Sequence, residues 1–284
     1  MKFLVLGCNG MAGHMISLYL KERGHEVYGF DRTAPRYVNG VAGDARNTDF
    51  IRELIVEGKY DSVINCIGIL NQHAENDKAL ASFLNAYFPH FLASVTEGIN
   101  TQVIHMSTDC VFSGKRGEYT EIDFPDGETF YDRSKALGEL RDNKNITLRN
   151  SIVGPDINPD GIGLMNWFMK QGGEISGFTK AMWTGQTTLQ LAKTMEVAAR
   201  ERASGLYNTV PDHAISKYDL LRLFNQYLRD DAIKINPVEG IVADKSLKRT
   251  RYEFGYLIPD YEVMVAELAT WMKQHKHLYP HYPI

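Results

Sequence analysis

Short apolar runs alternate with longer amphipathic segments through the first half of the chain. Lys2–Leu6, Glu26–Phe30, Asp61–Cys66, Gln102–Met106 and Ile146–Arg149 read as buried strands. Between them, Met11–Arg23, Thr48–Glu57, Asp77–Glu97 (interrupted at Pro89) and Tyr131–Asn143 carry helical periodicity. Strands alternating with helices require right-handed crossovers and a parallel sheet covered on both faces. After Asn150 the rhythm changes: Gly154-Pro155 and the stretch NPDGIG read as turns, followed by predicted helices at Leu164–Gln171, Thr188–Arg200, Lys217–Arg229 and Tyr261–His275. The expectation is an α/β fold with a doubly wound parallel sheet over residues 1–150. Residues 151–284 would form mainly a smaller mixed lobe, with some segments able to return to the sheet.

Composition narrows this picture without redirecting it. In 284 residues, 44% are hydrophobic and 23% charged, which suits a soluble globule with a sizeable core. A formal net charge of -4 and no basic stripe give no electrostatic case for nucleic acid. The apolar run Phe3–Leu6 is too short for a leader, and no run approaches the ~18 residues of a membrane span. Three cysteines argue against a disulfide framework and for a reducing cytoplasm. Cys8, Cys66 and Cys110 fall at different strand ends without ligand-like spacing, so no metal site is expected.

Candidate chemistry begins with the segment GCNGMAG, containing Gly7, Asn9, Gly10, Met11 and Gly13. It follows a strand and opens a helix. Glycines at this spacing let the chain turn tightly, bring backbone N–H groups against phosphate oxygens and let the helix approach the strand. Asp31 lies 21 residues beyond Gly10 at the end of the second strand, where a carboxylate would meet an adenosine ribose. This is the arrangement of a Rossmann dinucleotide site. Asp31 favours the free 2′-hydroxyl of NAD(H), while Arg32 beside it offers a cation to the 2′-phosphate of NADP(H); the balance tips slightly toward NAD(H). Gly43-Asp44-Ala45 follows a short strand-like stretch, where Asp44 either reaches the adenine or caps the helix starting near Thr48. Cys66, Ile67 and Gly68 end the strand closest to the expected pyrophosphate and ribose.

The strand QVIHM runs into Ser107-Thr108-Asp109, which puts hydroxyls at the carboxyl edge of the sheet, where open α/β sheets bind ligands. Tyr131 follows 23 residues after Thr108 and is the only one of fifteen tyrosines with a lysine, Lys135, four positions on. Residues at i and i+4 share a helix face. A phenol beside an ammonium is expected to have a lowered pKa and to exchange a proton with an alcohol or ketone oxygen during hydride transfer.

Together these motifs resemble the extended short-chain dehydrogenase/reductases. Within them, STDCVFSG, YDRSKALGE and LRNSIVG resemble the dTDP-4-dehydrorhamnose reductase family, as do WTGQTTLQLAK and the stretch from GLYNTVPDHAISK to the last helix. The resemblance implies NAD(P)H-dependent reduction of a 4-keto-6-deoxy sugar on a nucleotide, with Tyr131 as proton donor. It implies further that Lys135 holds the nicotinamide ribose and that Thr108 bonds the substrate carbonyl. Asp109, Val111, Phe112 and Trp183 would approach the substrate, with ordinary core packing at least as good an account of Trp183. Asn85 would support the site through buried polar contacts. Relatives of this type also include non-catalytic partners of methionine adenosyltransferase and 4-epimerases, which are the alternative functions, and the superfamily often forms homodimers. Two departures stand out. The family's Pro-x-Asn approach to the tyrosine is replaced by Gly127-Glu128-Thr129-Phe130, where Thr129 can serve as the helix cap. The Asp-Glu pair of nucleotide-sugar dehydratases is Asp109-Cys110 here, which disfavours dehydration.

Overall fold

The computed structural model describes residues 1–284. In chain order the elements are β1 (Lys2–Leu6), α1 (Met11–Glu22), β2 (Glu26–Asp31), β3 (Asn39–Ala42), α2 (Thr48–Gly58) and β4 (Ser62–Asn65). Next come α3 (Asn71–Asn76), α4 (Lys78–Ala81), a π-helical segment (Ser82–Tyr87), α5 (Phe88–Thr96) and β5 (Gln102–Ser107). A 3-10 turn (Asp109–Val111), α6 (Phe130–Leu137), β6 (Ile146–Arg149), β7 (Ser151–Val153), α7 (Leu164–Met169), β8 (Glu174–Phe178), β9 (Ala181–Trp183) and β10 (Gly185–Thr187) follow. The chain ends with α8 (Thr188–Glu201), β11 (Gly205–Asn208), β12 (Ile215–Ser216), α9 (Lys217–Leu228), β13 (Lys234–Val238), β14 (Ala243–Asp244), α10 (Tyr261–Gln274) and a 3-10 turn (Lys276–Leu278).

Seven strands form one sheet in the order β11-β6-β5-β4-β1-β2-β3, every pair parallel. The doubly wound α/β architecture read from the hydrophobic pattern is therefore present. Its sharpest consequence is the reversal of strand order at β1/β4. Leu6 is level with Phe30 and Asn65, and Asn65 with His105, so the loops after β1, β2, β4 and β5 open on one edge. One face of the sheet packs on α1 and α8 through Ile16, Leu20, Leu191 and Met195; the other packs on α2 and α5 through Ile51, Ile55, Phe88 and Leu92. The C-terminal segment returns to the sheet as β11, paired with β6 from Gly205 beside Ile146 to Asn208 beside Arg149. A third core gathers α7, α9 and α10 around Phe168, Phe224 and Leu268.

Two helices differ from the expected spans. The stretch before β5 is not one helix broken at Pro89. It starts with a separate short helix, α3, and then runs on through α4, the π-helical segment and α5, with Pro89 in the first turn of α5. The bond from the Phe88 N–H back to the Phe83 carbonyl shifts the ladder one residue before the proline, so the missing Pro89 N–H is absorbed. Helix α6 stops at Leu137, with Gly138 as its last cap, rather than at Asn143. A Cβ on Gly138 would lie 2.0 Å from the Asn85 carbonyl oxygen, so only glycine lets α6 end against the π-helical segment.

Candidate active site

The glycine turn after β1 is built as its spacing requires. Gly7 adopts φ +81, and its N–H bonds the Phe30 carbonyl at 2.8 Å, bending the chain toward β2. A Cβ on Gly13 would sit 2.0 Å from the Gly7 carbonyl oxygen, so helix α1 lies directly on the turn. The cap residue Gly10 supplies no side-chain acceptor. The first N–H groups of α1 therefore remain available to an anion.

Asp31 leaves the end of β2 and accepts the Asn9 N–H at 2.9 Å and the Arg32 N–H at 2.7 Å. The Asn9 side chain in turn donates to the Thr33 and Ala34 carbonyls and accepts the Arg36 N–H at 3.1 Å. The loop after β2 is thus stapled to the glycine turn. Asp44 takes no part in these bonds: exposed, it holds the Arg46 guanidinium at 2.5 Å, and that partner keeps its carboxyl below the usual range. Asp44 is not the helix cap that the sequence left open. Asn47 caps α2, accepting the Phe50 N–H at 3.2 Å. The neighbouring Ala45 is buried among Phe30, Ile51 and Tyr60.

On the other side of the edge, Cys66 takes its N–H to the Leu6 carbonyl at 3.0 Å, and Asn65 Oδ1 accepts the Ile67 N–H at 3.1 Å. Asn85 spans the loop after β4: it exchanges two bonds with the Ile69 backbone, both 2.9 Å, and donates to Ser134 Oγ at 3.1 Å. It connects that loop, which includes exposed Gly68, to the helix of Tyr131.

Helix α6 starts with a reciprocal capping box. The Asp132 N–H bonds Thr129 Oγ1 at 3.1 Å, and the Thr129 N–H bonds Asp132 Oδ2 at 3.2 Å. Thr129 thus does serve as the cap in place of the family's turn. A further contact had no sequence signal: Glu75 of α3 accepts the Phe130 N–H at 2.6 Å and the Tyr131 N–H at 3.3 Å. Helix α3 spans only six residues, nearly all polar, too short to show a period.

Tyr131 and Lys135 are both buried on α6. Their electrostatics differ from the expectation. Burial raises the Tyr131 phenol well above its ordinary value, the Cys110 thiol adds to this, and the nearby Thr108 hydroxyl only partly offsets it. The phenol is not depressed by Lys135. The ammonium instead donates to the Met106 carbonyl at 2.7 Å, and burial lowers its pKa from 10.5 to about 8. Desolvation in this dry position outweighs the attraction that spacing alone suggested.

Thr108 leaves β5 in extended conformation, its hydroxyl oxygen accepting the Cys110 N–H at 3.1 Å and its proton given to Asp109 Oδ1 at 3.1 Å. Asp109 is buried, which raises its carboxyl pKa, and the Cys110 thiol is pushed up to about 12 by the same cause. Val111 and Phe112 are fully buried, with Phe112 stacked on Tyr119 at 4.2 Å, so they form a wall behind the turn. Trp183 is not brought to this edge in an open position. It is buried in the C-terminal core, its ring 5.7 Å from that of Tyr261, as the packing account anticipates. Behind the strand end lies a network the sequence reading did not find: Glu139 accepts Ser107 Oγ at 2.8 Å and binds Arg149 at 2.8 and 2.6 Å, all three residues buried.

The family model of the RmlD substrate binding domain matches residues 1–254. A probable low-salt glycan biosynthesis reductase from Haloferax volcanii is 29% identical over 255 residues, 84% of this chain and 84% of that one. A crystal structure of a dTDP-4-dehydrorhamnose reductase from Clostridium acetobutylicum has a TM-score of 0.77 at 23% identity, covering 96% of this chain and 100% of that one. The dTDP-4-dehydrorhamnose reductase of Bacillus anthracis in complex with NADP gives 0.78 at 20%, covering 95% and 99%. At these identities the two structures show a shared fold. No helix is long and apolar enough to cross a membrane. With a matching family model over residues 1–254 and the glycine turn, strand end and Tyr131-Lys135 helix in one parallel sheet, the chain belongs to the RmlD family of extended short-chain dehydrogenase/reductases.

Proposed function

We propose that the protein is an NAD(P)H-dependent reductase of a 4-keto-6-deoxy sugar carried on a nucleotide, with Tyr131 as the proton donor. The observation that carries this reading is the convergence of the β5 strand end, which bears Thr108, with helix α6, which bears the buried Tyr131 and whose Lys135 ammonium donates to the Met106 carbonyl of that strand at 2.7 Å. Residues 1–150 would hold the dinucleotide, and residues 151–284 would supply most of the substrate lobe.

The chain fits such a cofactor. A Cβ would fill the cradle at Gly13, the first turn of α1 has no side-chain cap, and Asp31 is held rigidly by two backbone N–H groups. Gly7, Gly10, Gly13 and Met11 would surround the pyrophosphate, Asp31 and Arg32 the adenosine ribose, and Cys66, Ile67 and Gly68 the nicotinamide side. When bound, NAD(P)H supplies a hydride. Asp31 supports NAD(H), and Arg32, which makes no side-chain ion pair, supports NADP(H); the slight preference stays with NAD(H).

In the reductive direction the raised phenol suits its task. Tyr131 stays protonated at neutral pH and gives its proton to an oxygen that becomes strongly basic only as the carbonyl is reduced. The Lys135 ammonium uses one donor on the Met106 carbonyl and has two more for neighbouring acceptors. Thr108 must release Asp109 before it can donate to a substrate oxygen. The missing second carboxylate at Cys110, a protonated thiol, argues against dehydration.

The test is turnover of NADH and NADPH with a panel of 4-keto-6-deoxy nucleotide sugars, comparing the native protein with Tyr131→Phe. A loss of roughly 10²–10⁴-fold in kcat with cofactor affinity nearly intact is the expected result. Undiminished turnover in the variant would remove Tyr131 from the reaction, and no turnover of any such sugar while cofactor binds would overturn the reductase reading.

A further inference from the structure

His14 stands in the first turn of α1, directly under the glycine turn, yet it is wholly buried and has no part in the proposal above. Both of its ring nitrogens are engaged. Nδ1 lies 3.0 Å from the Gly10 carbonyl oxygen, and Nε2 lies 2.7 Å from the hydroxyl of Tyr279, 265 positions later. A carbonyl only accepts, so Nδ1 carries the proton. Burial lowers the imidazole pKa from 6.5 to about 4, so the ring is neutral at neutral pH and Nε2 is its acceptor. The hydroxyl of Tyr279, itself buried, therefore donates. The bonds form a directed chain, from Tyr279 O–H to His14 Nε2 and from His14 Nδ1–H to the Gly10 carbonyl.

The Gly10 carbonyl is held twice, because it also accepts the His14 backbone N–H at 2.9 Å. In a planar trans peptide the carbonyl and the N–H that follows it point in opposite directions. A carbonyl pinned into α1 therefore turns the Met11 N–H outward, to the side of the turn proposed to face the pyrophosphate. Gly10, lacking a Cβ, does little by itself to fix the ψ of 172 that sets this peptide plane. Tyr279 is delivered to the chain by the tail that follows α10. His275 Nε2 lies 2.6 Å from Glu22 Oε1 at the end of α1, and Tyr279 then reaches the helix's first turn. Tyr282, its ring stacked 5.7 Å from that of Tyr279, serves the opposite side. Its hydroxyl accepts the Asp156 N–H at 2.9 Å and donates to Asn166 Oδ1 at 2.8 Å.

We propose, building on the dinucleotide reading of the glycine turn, that Tyr279 is a positioning residue for cofactor binding: through His14 it fixes the Gly10 carbonyl and so aims the Met11 N–H at the cofactor pyrophosphate. Tyr279 itself touches no cofactor, and the hydride and proton steps lie elsewhere on the sheet edge. Its loss should therefore be felt in affinity and not in the rate at saturation. Dissociation constants for NADH, and for NADPH in parallel, are read by fluorescence titration beside a melting curve without cofactor and kcat at saturating cofactor. Tyr279→Phe removes one oxygen and keeps the ring in its core. Its dinucleotide affinity is expected to fall roughly fivefold, the worth of about one hydrogen bond, with kcat unchanged. Tyr282→Phe takes the same atom from the same tail; it should lower the melting temperature similarly and leave affinity near native. His14→Ala should weaken binding at least as much as Tyr279→Phe, and adding Tyr279→Phe to it should cost nothing more, because the chain is already cut. His14→Asn keeps a donor for the Gly10 carbonyl and should recover most of the affinity lost in His14→Ala.

Native affinity in Tyr279→Phe overturns the proposal, whether or not His14→Ala folds. So does an equal loss in Tyr282→Phe, which would make tail packing the cause. A further loss when Tyr279→Phe is added to His14→Ala overturns it too, because the effect would then bypass His14. If the native protein binds neither NADH nor NADPH, the dinucleotide reading fails and the positioning role falls with it. If the native protein binds and Tyr279→Phe binds equally well, only the positioning role fails.

Discussion

Glu75 caps the helix of Tyr131: its Oε1 accepts the Phe130 N–H at 2.6 Å. The acceptor comes from α3, on the far side of the loop after β4, so the proposed proton donor is held by a residue 56 positions earlier. A carboxylate at a helix N-terminus is worth about 0.5–2 kcal/mol. Glu75→Ala is therefore expected to lower thermal stability by about that amount and to reduce kcat more than it changes cofactor affinity, since Tyr131 itself would shift. Glu75→Gln keeps an oxygen acceptor and should fall between the two. Native melting temperature and kcat in Glu75→Ala would show that the cap is incidental.

Gly13 faces the Gly7 carbonyl oxygen with no space for a side chain, a Cβ falling 2.0 Å from it. Gly13→Ala must push α1 away from the turn, an overpacking expected to cost about 1–3 kcal/mol. Because the first turn of α1 is also the surface proposed to face the pyrophosphate, NAD(H) binding should be lost with the stability. A titration of cofactor fluorescence alongside a thermal melt reads both, and a variant that binds with native affinity contradicts the role given to the turn.

Much of this was legible before any coordinates, for physical reasons that also explain what was not. Strands buried on both faces must be apolar runs, so β1, β4, β5 and β6 were readable from Lys2–Leu6 through Ile146–Arg149. Gly7, Gly10 and Gly13 were readable because a tight turn under a helix excludes side chains, and Thr129 because a hydroxyl before a helix has one obvious acceptor role. Strands β7, β9 and β10 were invisible because each has only three residues, and β8, mostly not buried, finds its partner β13 only 60 positions later, Glu174 beside Lys234. Glu75 and Glu139 were missed for a different reason. Their meaning lies in tertiary partners, Phe130 in one case and Arg149 and Ser107 in the other, that no local pattern announces. The Tyr131-Lys135 spacing put both residues on one helix, where they are buried, but gave the wrong sign for the phenol, because i, i+4 geometry says nothing about desolvation.

Asp31 offers a direct test of cofactor choice. Its two oxygens already hold the Asn9 and Arg32 N–H groups at 2.9 and 2.7 Å, so the carboxylate is fixed in place whether or not a ribose is present. A fixed anion should favour a 2′-hydroxyl and repel a 2′-phosphate. Asp31→Ala is expected to weaken NADH binding roughly tenfold, about 1.4 kcal/mol, while NADPH binding falls less or improves. Arg32→Ala should act the other way, weakening NADPH selectively. Equal losses for both cofactors in Asp31→Ala would mean that the residue shapes the loop and does not read the ribose.

Lys135 makes a prediction about stability opposite in sign to its effect on activity. Its pKa falls from 10.5 to about 8, chiefly through burial. A lysine whose folded-state pKa lies below its unfolded value binds fewer protons when folded, so its burial destabilises the fold most at low pH. That cost is complete below about 8, fades as pH rises toward 10.5, and is gone above it. Lys135→Met fills the same volume without a charge and loses only the bond to the Met106 carbonyl. The variant is expected to be inactive as a reductase yet more stable than the native protein near pH 7. Its advantage should shrink steadily as both proteins are measured at higher pH. Denaturant unfolding of the two proteins across that range gives the difference directly, with changes shared by both chains cancelling. A constant difference would mean that Lys135 is not the ionisation being relieved, and a less stable variant at neutral pH would mean that the bond to Met106 outweighs the desolvation that lowers the lysine's pKa.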